Sequence, residues 1–371
     1  MKFPRLEGVY LDSAATTLKP ECVIEAIANF YRHFDGTVHR AVYSYARQAT
    51  ALYQEARAAV ADFIHSKEEI IFTRGTTASL NLLARALMPK KVVVTQTEHH
   101  SNIVPWQLVG ATVVPIPVND QGELILDDLE SLLEGADLLS VAHVANVTGT
   151  IHPIKELARR AHKMGVLVAV DGAQAVGHLK VDVTDLDVDF YAFSGHKMYG
   201  PTGIGVLYGK RTLLEKMPPV EGGGDMIEKV TFEKSSFNQL PLKFEAGTPA
   251  IAEAIGLKAA IDFVRSTSQP SLLDYATKKL LQIPGLRILG QAKKKVGIIA
   301  FVIEGTHPLD VATLLDCRGI CLRSGHHCSQ PTMERFKVSS CLRISFGVYN
   351  TKKDVDLLTE ALESILPALC C

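Results

Sequence analysis

A chain of 371 residues with 47% hydrophobic and 21% charged content has the make-up of a soluble globular protein, long enough for two domains or one large one. The net charge of −1 excludes the electrostatic footprint of a nucleic-acid or anionic-membrane binder, and no apolar run is long enough to span a bilayer. The opening residues, Met1-Lys2-Phe3-Pro4-Arg5-Leu6-Glu7-Gly8, lack the apolar core of a secretory signal, so a cytoplasmic location is expected.

From about residue 56 onward, apolar strand-like runs alternate with helical patterns. Strands are expected at 70–73, 91–95, 111–115, 138–144, 166–170, 190–193 and 203–208, and helices at 53–64, 77–87, 126–133 and 154–164. This alternation predicts an α/β fold around a mainly parallel sheet. The run at 203–208 follows its predecessor too closely for a crossover helix, so that strand is expected to be antiparallel. Residues 218–249 break the rhythm with Pro218-Pro219, Gly222-Gly223-Gly224, Pro241, Gly247 and Pro249, and read as a long functional or interfacial loop. A helix over 251–264 leads to a second, α+β pattern. Its strands are expected at 286–289, 296–303 and 342–346, and its helices at 307–318 and 352–366.

The chemistry-bearing residues fall at strand ends. After 70–73 comes Arg74-Gly75-Thr76-Thr77, a tight turn opening a helix. Gly75 permits close backbone approach, and Thr76 and Thr77 offer hydroxyls and N–H groups where the helix dipole favours an anion. A plain threonine N-cap is the competing explanation. After 91–95 comes Gln96-Thr97-Glu98-His99-His100-Ser101-Asn102; a flat imidazole there can stack on a ring, and the adjacent histidines lack zinc-protease spacing. The run at 166–170 ends in Asp171-Gly172-Ala173-Gln174, and the run at 190–193 ends in Ser194-Gly195-His196-Lys197.

In an open parallel sheet the carboxyl ends of the strands form the ligand crevice, so Asp171 and Lys197 are expected to face one pocket. A partly desolvated lysine amine can form a Schiff base with an aldehyde, and a buried carboxylate keeps a pyridine nitrogen protonated. Together these are the requirements of pyridoxal phosphate. Taken singly, Asp171 is also a plausible helix N-cap and Lys197 a solvated surface lysine.

The segment Arg323-Ser324-Gly325-His326-His327-Cys328-Ser329-Gln330-Pro331 has the composition of a reactive thiol loop, with Arg323, His326 and His327 supplying an electropositive setting. A metal site built from Cys317, Cys321, His326, His327 and Cys328 fits no common zinc spacing, so no metal is expected. The seven cysteines, which also include Cys22, Cys341, Cys370 and Cys371, are expected to be thiols, the last two in an inert tail.

These motifs resemble those of group II cysteine desulfurases, the pyridoxal-phosphate enzymes that include the Suf-type desulfurases and selenocysteine lyases. The matching segments are Tyr10-Leu11-Asp12-Ser13-Ala14-Ala15-Thr16, Arg74-Gly75-Thr76-Thr77, Glu98-His99-His100-Ser101-Asn102-Ile103-Val104-Pro105-Trp106, Asn146, Asp171-Gly172-Ala173-Gln174, Ser194-Gly195-His196-Lys197, Phe244-Glu245-Ala246-Gly247-Thr248-Pro249 and the Cys328 loop. They run in family order through nearly the whole chain.

The resemblance implies a fold-type I, aminotransferase-like homodimer. Its large domain would span 13–265, and a small α+β domain would combine 1–12 with 266–371 and carry the cysteine loop. Lys197 would hold the cofactor, Asp171 would pair with the ring nitrogen, Gln174 with the ring oxygen, and His99 would stack on the ring. Thr76, Thr77, Ser194 and His196 would bind the phosphate, joined by Thr248 from the partner subunit. Asn146, Arg323 and Arg343 would bind the substrate, and Cys328 would accept sulfur from L-cysteine. A sulfur-acceptor protein and iron–sulfur cluster assembly are implied as partner and purpose. Cysteine and selenocysteine, which differ by one chalcogen atom, stay undistinguished. Two departures from the family pattern are a short stretch before Tyr10 and a trimmed segment between Val264 and Leu286. Another enzyme of the same fold, an aminotransferase or a kynureninase-like hydrolase, would use Lys197 and Asp171 without needing Cys328.

Overall fold

A computed structural model describes residues 3–4, 8–268 and 271–369, so Cys370 and Cys371 lie outside the described residues. The first set of apolar runs pairs into one sheet: β1 (Glu69–Thr73), β2 (Lys91–Thr95), β3 (Thr112–Ile116), β4 (Leu138–Ala142), β5 (Leu167–Asp171), β6 (Phe190–Ser194) and β7 (Gly205–Gly209). Their order is β1-β7-β6-β5-β4-β2-β3. β7 is antiparallel to both neighbours, as its short connection requires, and the other pairings are parallel. β4, β6 and β7 are buried at every residue, because helices cover both faces and exclude water from both sides of the pleat.

Helix α1 (Glu21–His33) has no counterpart among the expected elements, although Val23, Ile27, Phe30 and Phe34 recur at helical spacing. It buries Val23 and Phe30 and packs on α4 (Ile251–Ser266). Helix α2 (Ser44–Phe63) starts at Ser44 rather than residue 53, because Ala46 and Ala49 continue the buried stripe of Tyr53, Ala56 and Val60. Helix α3 (Thr76–Leu87) follows the turn after β1. Only Leu129–Leu133 of the helix expected over 126–133 forms. The 218–249 segment is not wholly loop: Ile227–Val230 and Ser235–Phe237 pair as a small exposed antiparallel ribbon.

A second sheet, all antiparallel, contains β8 (Leu286–Leu289), β9 (Ile298–Ile303), β10 (Arg323–Gly325) and β11 (Cys341–Ser345) in the order β8-β9-β11-β10. It has its own apolar core, which Val9 and Leu11 join from the far end of the chain. Val9–Tyr10 pairs in parallel with Ile320–Cys321, and Asp12 bridges to Ser345 at the end of β11. Arg323 of β10 and Arg343 of β11 line one cavity with residues at the carboxyl ends of the first sheet. Among the described residues no helix is long and apolar enough to cross a membrane.

One buried ion pair ties the irregular segment to the first sheet. Arg57 on α2 grips Glu245 with two bonds of 2.7 and 2.8 Å. Glu245 also accepts from the Phe72 N–H at 2.7 Å and the Tyr53 hydroxyl at 3.1 Å. Removing one partner of such a pair strands a charge without water. Glu245→Ala is therefore expected to cost about 3–5 kcal/mol in chemical denaturation. Tyr53→Phe, which removes one hydrogen bond to a charged group, is expected to cost no more than about 1.5–3 kcal/mol. Equal costs for the two variants would show that the ion pair carries no special weight.

Candidate active site

The carboxyl ends of β1, β2, β5 and β6 and the Cys328 loop enclose a cavity of about 230 Å³. Every residue that the family resemblance assigns to the site lines it, except Thr248: Thr76, Thr77, His99, Asn146, Asp171, Gln174, Ser194, His196, Lys197, Arg323, Cys328 and Arg343 are brought together. Thr248 lies instead in an adjoining cavity of about 790 Å³, whose lining shares Thr76, Thr77, Ser194 and His196 with the first.

Lys197 ends a short 3-10 turn directly after β6. Burial pulls its amine below the ordinary lysine range, Asp171 opposes that shift, and Arg343 reinforces it. The carbonyl of the preceding residue, His196, is held by the N-terminal segment: it accepts from Thr17 N–H at 3.0 Å and from the Thr16 hydroxyl and the Lys19 amine, each at 3.1 Å. Asp171 ends β5 and is buried, which raises its carboxyl above the usual range, against a 2.9 Å bond from the Ala173 N–H and the charge of Lys197. The turn after it is tightly packed. A Cβ on Gly172 would stand 2.1 Å from the Tyr191 ring, whose hydroxyl lies 2.9 Å from His143 Nδ1.

His99 Nδ1 accepts the Ser101 N–H at 3.1 Å, so the ring proton sits on Nε2. Burial, with Lys197 next in weight, pulls this imidazole down to about 3, so it is neutral at physiological pH. The residue before it, Glu98, is a fully buried carboxylate that accepts from Thr95, Asn102 and the Ala142 N–H. Burial still pushes Glu98 up to about 7.

At the other end of the cavity, α3 begins. Ser194 Oγ accepts the Thr76 N–H at 2.8 Å and lies 2.7 Å from the Thr76 hydroxyl, while the Thr77 hydroxyl lies 2.7 Å from that of Ser101. The helix start sits tight against the sheet: a Cβ on Gly205 would stand 2.3 Å from the Gly75 Cα. First-turn N–H groups without intrahelical partners make this end a receptor for an anion.

The second sheet supplies the remaining wall. Asp12 binds two arginines at once, Arg323 Nε at 3.0 Å and Arg343 at 3.3 Å. Arg343 is buried, and it also donates to the Asn146 carbonyl at 2.9 Å. Asn146 Nδ2 donates to the His327 carbonyl at 2.8 Å, while Asn146 Oδ1 and Arg343 Nε are buried without partners. Orphaned polar atoms of this kind line a place where a polar ligand completes the hydrogen bonding. Cys328 is exposed on the cavity rim. The positive setting of its loop is narrower than its composition implied. Burial and the nearby Arg343 pull His327 down to about 3, so it is uncharged, and His326 Nδ1 accepts the Cys328 N–H. The positive charge beside the thiol comes from Arg323 and Arg343.

Asp12 and Glu98 have structural roles the motifs did not reveal. Both sit inside segments noted above, but Asp12 finds its arginines 311 and 331 residues away, beyond any local pattern. Among the described residues no group of three or more His, Cys, Asp or Glu side chains is placed to hold a metal ion.

A parallel sheet with an amine and a carboxylate at adjacent strand ends defines a class. The Aminotransferase class-V family profile matches residues 9–358. Within that class the chain belongs to the cysteine desulfurases. A probable cysteine desulfurase of Halalkalibacterium halodurans is 48% identical over 96% of this chain and 92% of its own. One of Vibrio cholerae is 46% identical over 97% of this chain and 94% of its own. Among solved structures, an Escherichia coli cysteine desulfurase superposes with a TM-score of 0.92 at 42% identity, covering 99% of this chain and 97% of that one. The apo cysteine desulfurase of Thermococcus onnurineus gives 0.95 at 38% identity, covering 100% and 99%.

The buried and half-buried imidazoles set a pH dependence. His99 and His327 are held near 3, and His143, His152 and His196 near 4, in each case chiefly by burial. Unfolded histidine titrates near 6.5. Between roughly pH 4 and 6.5 the unfolded chain therefore binds protons at these sites that the folded chain refuses, and stability falls as pH falls. Glu98 and Asp171, raised in the fold, act in the opposite direction but are fewer. Denaturation of the protein without bound ligand is expected to show a loss of roughly 2–4 kcal/mol from pH 6 to pH 5. A midpoint that rises over that interval would contradict the assignment of neutral imidazoles.

Proposed function

We propose that the protein is a pyridoxal 5'-phosphate-dependent cysteine desulfurase that converts L-cysteine to L-alanine and takes the sulfur onto Cys328 as a persulfide. The observation that supports this most directly is that Lys197, Asp171 and an exposed Cys328 share one cavity.

The residues present fit the cofactor. Lys197 would hold its aldehyde carbon, and buried Asp171 would pair with its ring nitrogen. Gln174, whose Nε2 already gives one proton to the Ala14 carbonyl at 2.7 Å, has a second for the ring oxygen. The neutral ring of His99 would stack on the pyridine face. The start of α3 with Thr76, Thr77, Ser194 and His196 would take the phosphate. When bound, the cofactor supplies an electron sink beside the substrate Cα.

The chain's own groups would do the rest. Arg343, Arg323 and Asn146 would hold the substrate carboxylate, the two guanidiniums oriented by Asp12. The amine of Lys197, which burial inclines to give up its proton, is suited to carry the proton from the substrate Cα. The Cys328 sulfur would then attack the substrate sulfur. A sulfur–sulfur bond forms, the carbon–sulfur bond of the substrate breaks, and its electron pair stays with the three-carbon fragment that leaves as alanine after protonation.

The working form is a homodimer in this reading. Thr248 lines a cavity that adjoins the phosphate end, and by the family resemblance Thr248 of the partner subunit would complete that end. The cytoplasm is the proposed compartment, since Cys328 must be a free thiol to attack, the described cysteines are free, and cytosolic thiols are kept reduced. Residues 13–265 would form the cofactor-bearing domain, and 1–12 with 266–371 the domain that delivers the thiol. A small sulfur-acceptor protein would then draw on the persulfide for iron–sulfur cluster assembly.

Borohydride reduction followed by peptide mapping is expected to place the pyridoxyl group on Lys197; a label confined to another lysine would overturn the cofactor assignment. Cys328→Ser keeps the size of the side chain while removing an ionisable sulfur. It is expected to bind cofactor and show spectral changes with cysteine, yet to form no persulfide and to lose roughly 100-fold or more in alanine production. Parental cysteine turnover by Cys328→Ser would shift the reading to another enzyme of the same fold.

A further inference from the structure

The cysteine loop is joined to the His99 loop by contacts that none of the roles above uses. His327 and Cys328 both have left-handed backbone, with φ of 52° and 53°. Residues with a Cβ avoid this region because the side chain crowds the following carbonyl, and adjacent pairs persist only where the surroundings over-determine them. Here the surroundings hold both carbonyls. That of His327 accepts from Asn146 Nδ2 at 2.8 Å, and that of Cys328 from the His100 N–H at 2.7 Å. The chain just beyond is held as well: the Ser329 hydroxyl donates to the Glu98 carbonyl at 2.7 Å, and the Gln330 N–H donates to His100 Nε2 at 3.1 Å.

His100 thus grips the loop twice, at Cys328 through its main chain and at Gln330 through its ring. Accepting at Nε2 places the ring proton on Nδ1 and fixes the tautomer. The ring does not line the cofactor cavity. It packs beside His326, with centroids 5.6 Å apart.

We propose that His100 is a positioning residue for Cys328: it holds the strained turn that keeps the Cys328 sulfur at the rim of the cavity, where the substrate sulfur is presented. This rests on Cys328 being the sulfur acceptor. Without the ring acceptor, the turn relaxes toward ordinary backbone angles and carries the thiol away from the rim. The thiol survives, but its encounter with the substrate sulfur becomes rarer. Cofactor binding, which involves other groups, is untouched.

The test compares the holoenzyme with His100→Phe, which keeps a flat ring without an acceptor, and with His100→Gln, whose Oε1 can replace Nε2. Two quantities are read: amide hydrogen exchange across 326–330, and the single-turnover rate of persulfide formation on Cys328 with L-cysteine. His100→Phe is expected to exchange faster at Gln330 and to form persulfide more slowly, each by roughly tenfold, the effect of one ordinary hydrogen bond. Cofactor content should be parental, and His100→Gln should restore both readings. His100→Ala, which adds no bulk, should match His100→Phe; a parental rate in His100→Ala assigns the phenylalanine effect to steric clash and overturns the proposal. Faster exchange with an unchanged persulfide rate overturns it too, as does slower persulfide formation with unchanged exchange. Failure of the underlying reading is separately visible, because it appears as cysteine turnover in Cys328→Ser while the exchange measurement stands on its own.

Discussion

The structure turns on an amine taken out of water. Lys197 is inclined to release its proton because burial removes the hydration that an ammonium needs, and this outweighs the attraction of Asp171. Here the desolvation comes from strand ends that meet beneath the wall of the second sheet. Asp171 is raised for the same reason, and His99 and His196 are kept neutral by burial with Lys197 next in weight. The pocket is therefore a set of mutually adjusted groups rather than a collection of independent side chains. A change that lets water in would disturb all of them together.

Closing that wall is the task of the second sheet. Val9 and Leu11 join its core, and the chain then passes directly to Asp12, which neutralises Arg323 and Arg343 from β10 and β11. Two guanidiniums close together, one of them buried, would repel each other; one carboxylate between them permits both to stay. The next residues, Ala14 to Lys19, reach back to the first sheet, to Gln174 and to the turn that carries Lys197. The N-terminal segment thus links the sheet that presents the amine to the sheet that presents the thiol. The Arg57–Glu245 pair plays a comparable role on the other side, anchoring the segment that leads to Thr248.

The sequence alone determined the parts that depend on local order. A run of apolar residues ending in Asp171, and another ending in Ser194-Gly195-His196-Lys197, specify strands that stop at chemistry, and parallel pairing then forces those stops onto one edge. The same logic placed Gly75-Thr76-Thr77 and His99 there, and the tight link before β7 specified its antiparallel direction. What only the tertiary structure decided depends on distant partners and on solvent exclusion. The bonds of Asp12 to its arginines close loops of 311 and 331 residues, which no periodicity encodes. Composition alone suggests a charged His327, but burial, invisible in a list of neighbours, removes its proton. Thr248 could be counted among the site residues from its motif, yet its position in an adjoining cavity follows from how the 218–249 segment is tethered. Local sequence sets which groups stand at the strand ends; packing sets which of them are charged and which face one another, because both depend on how completely water is removed.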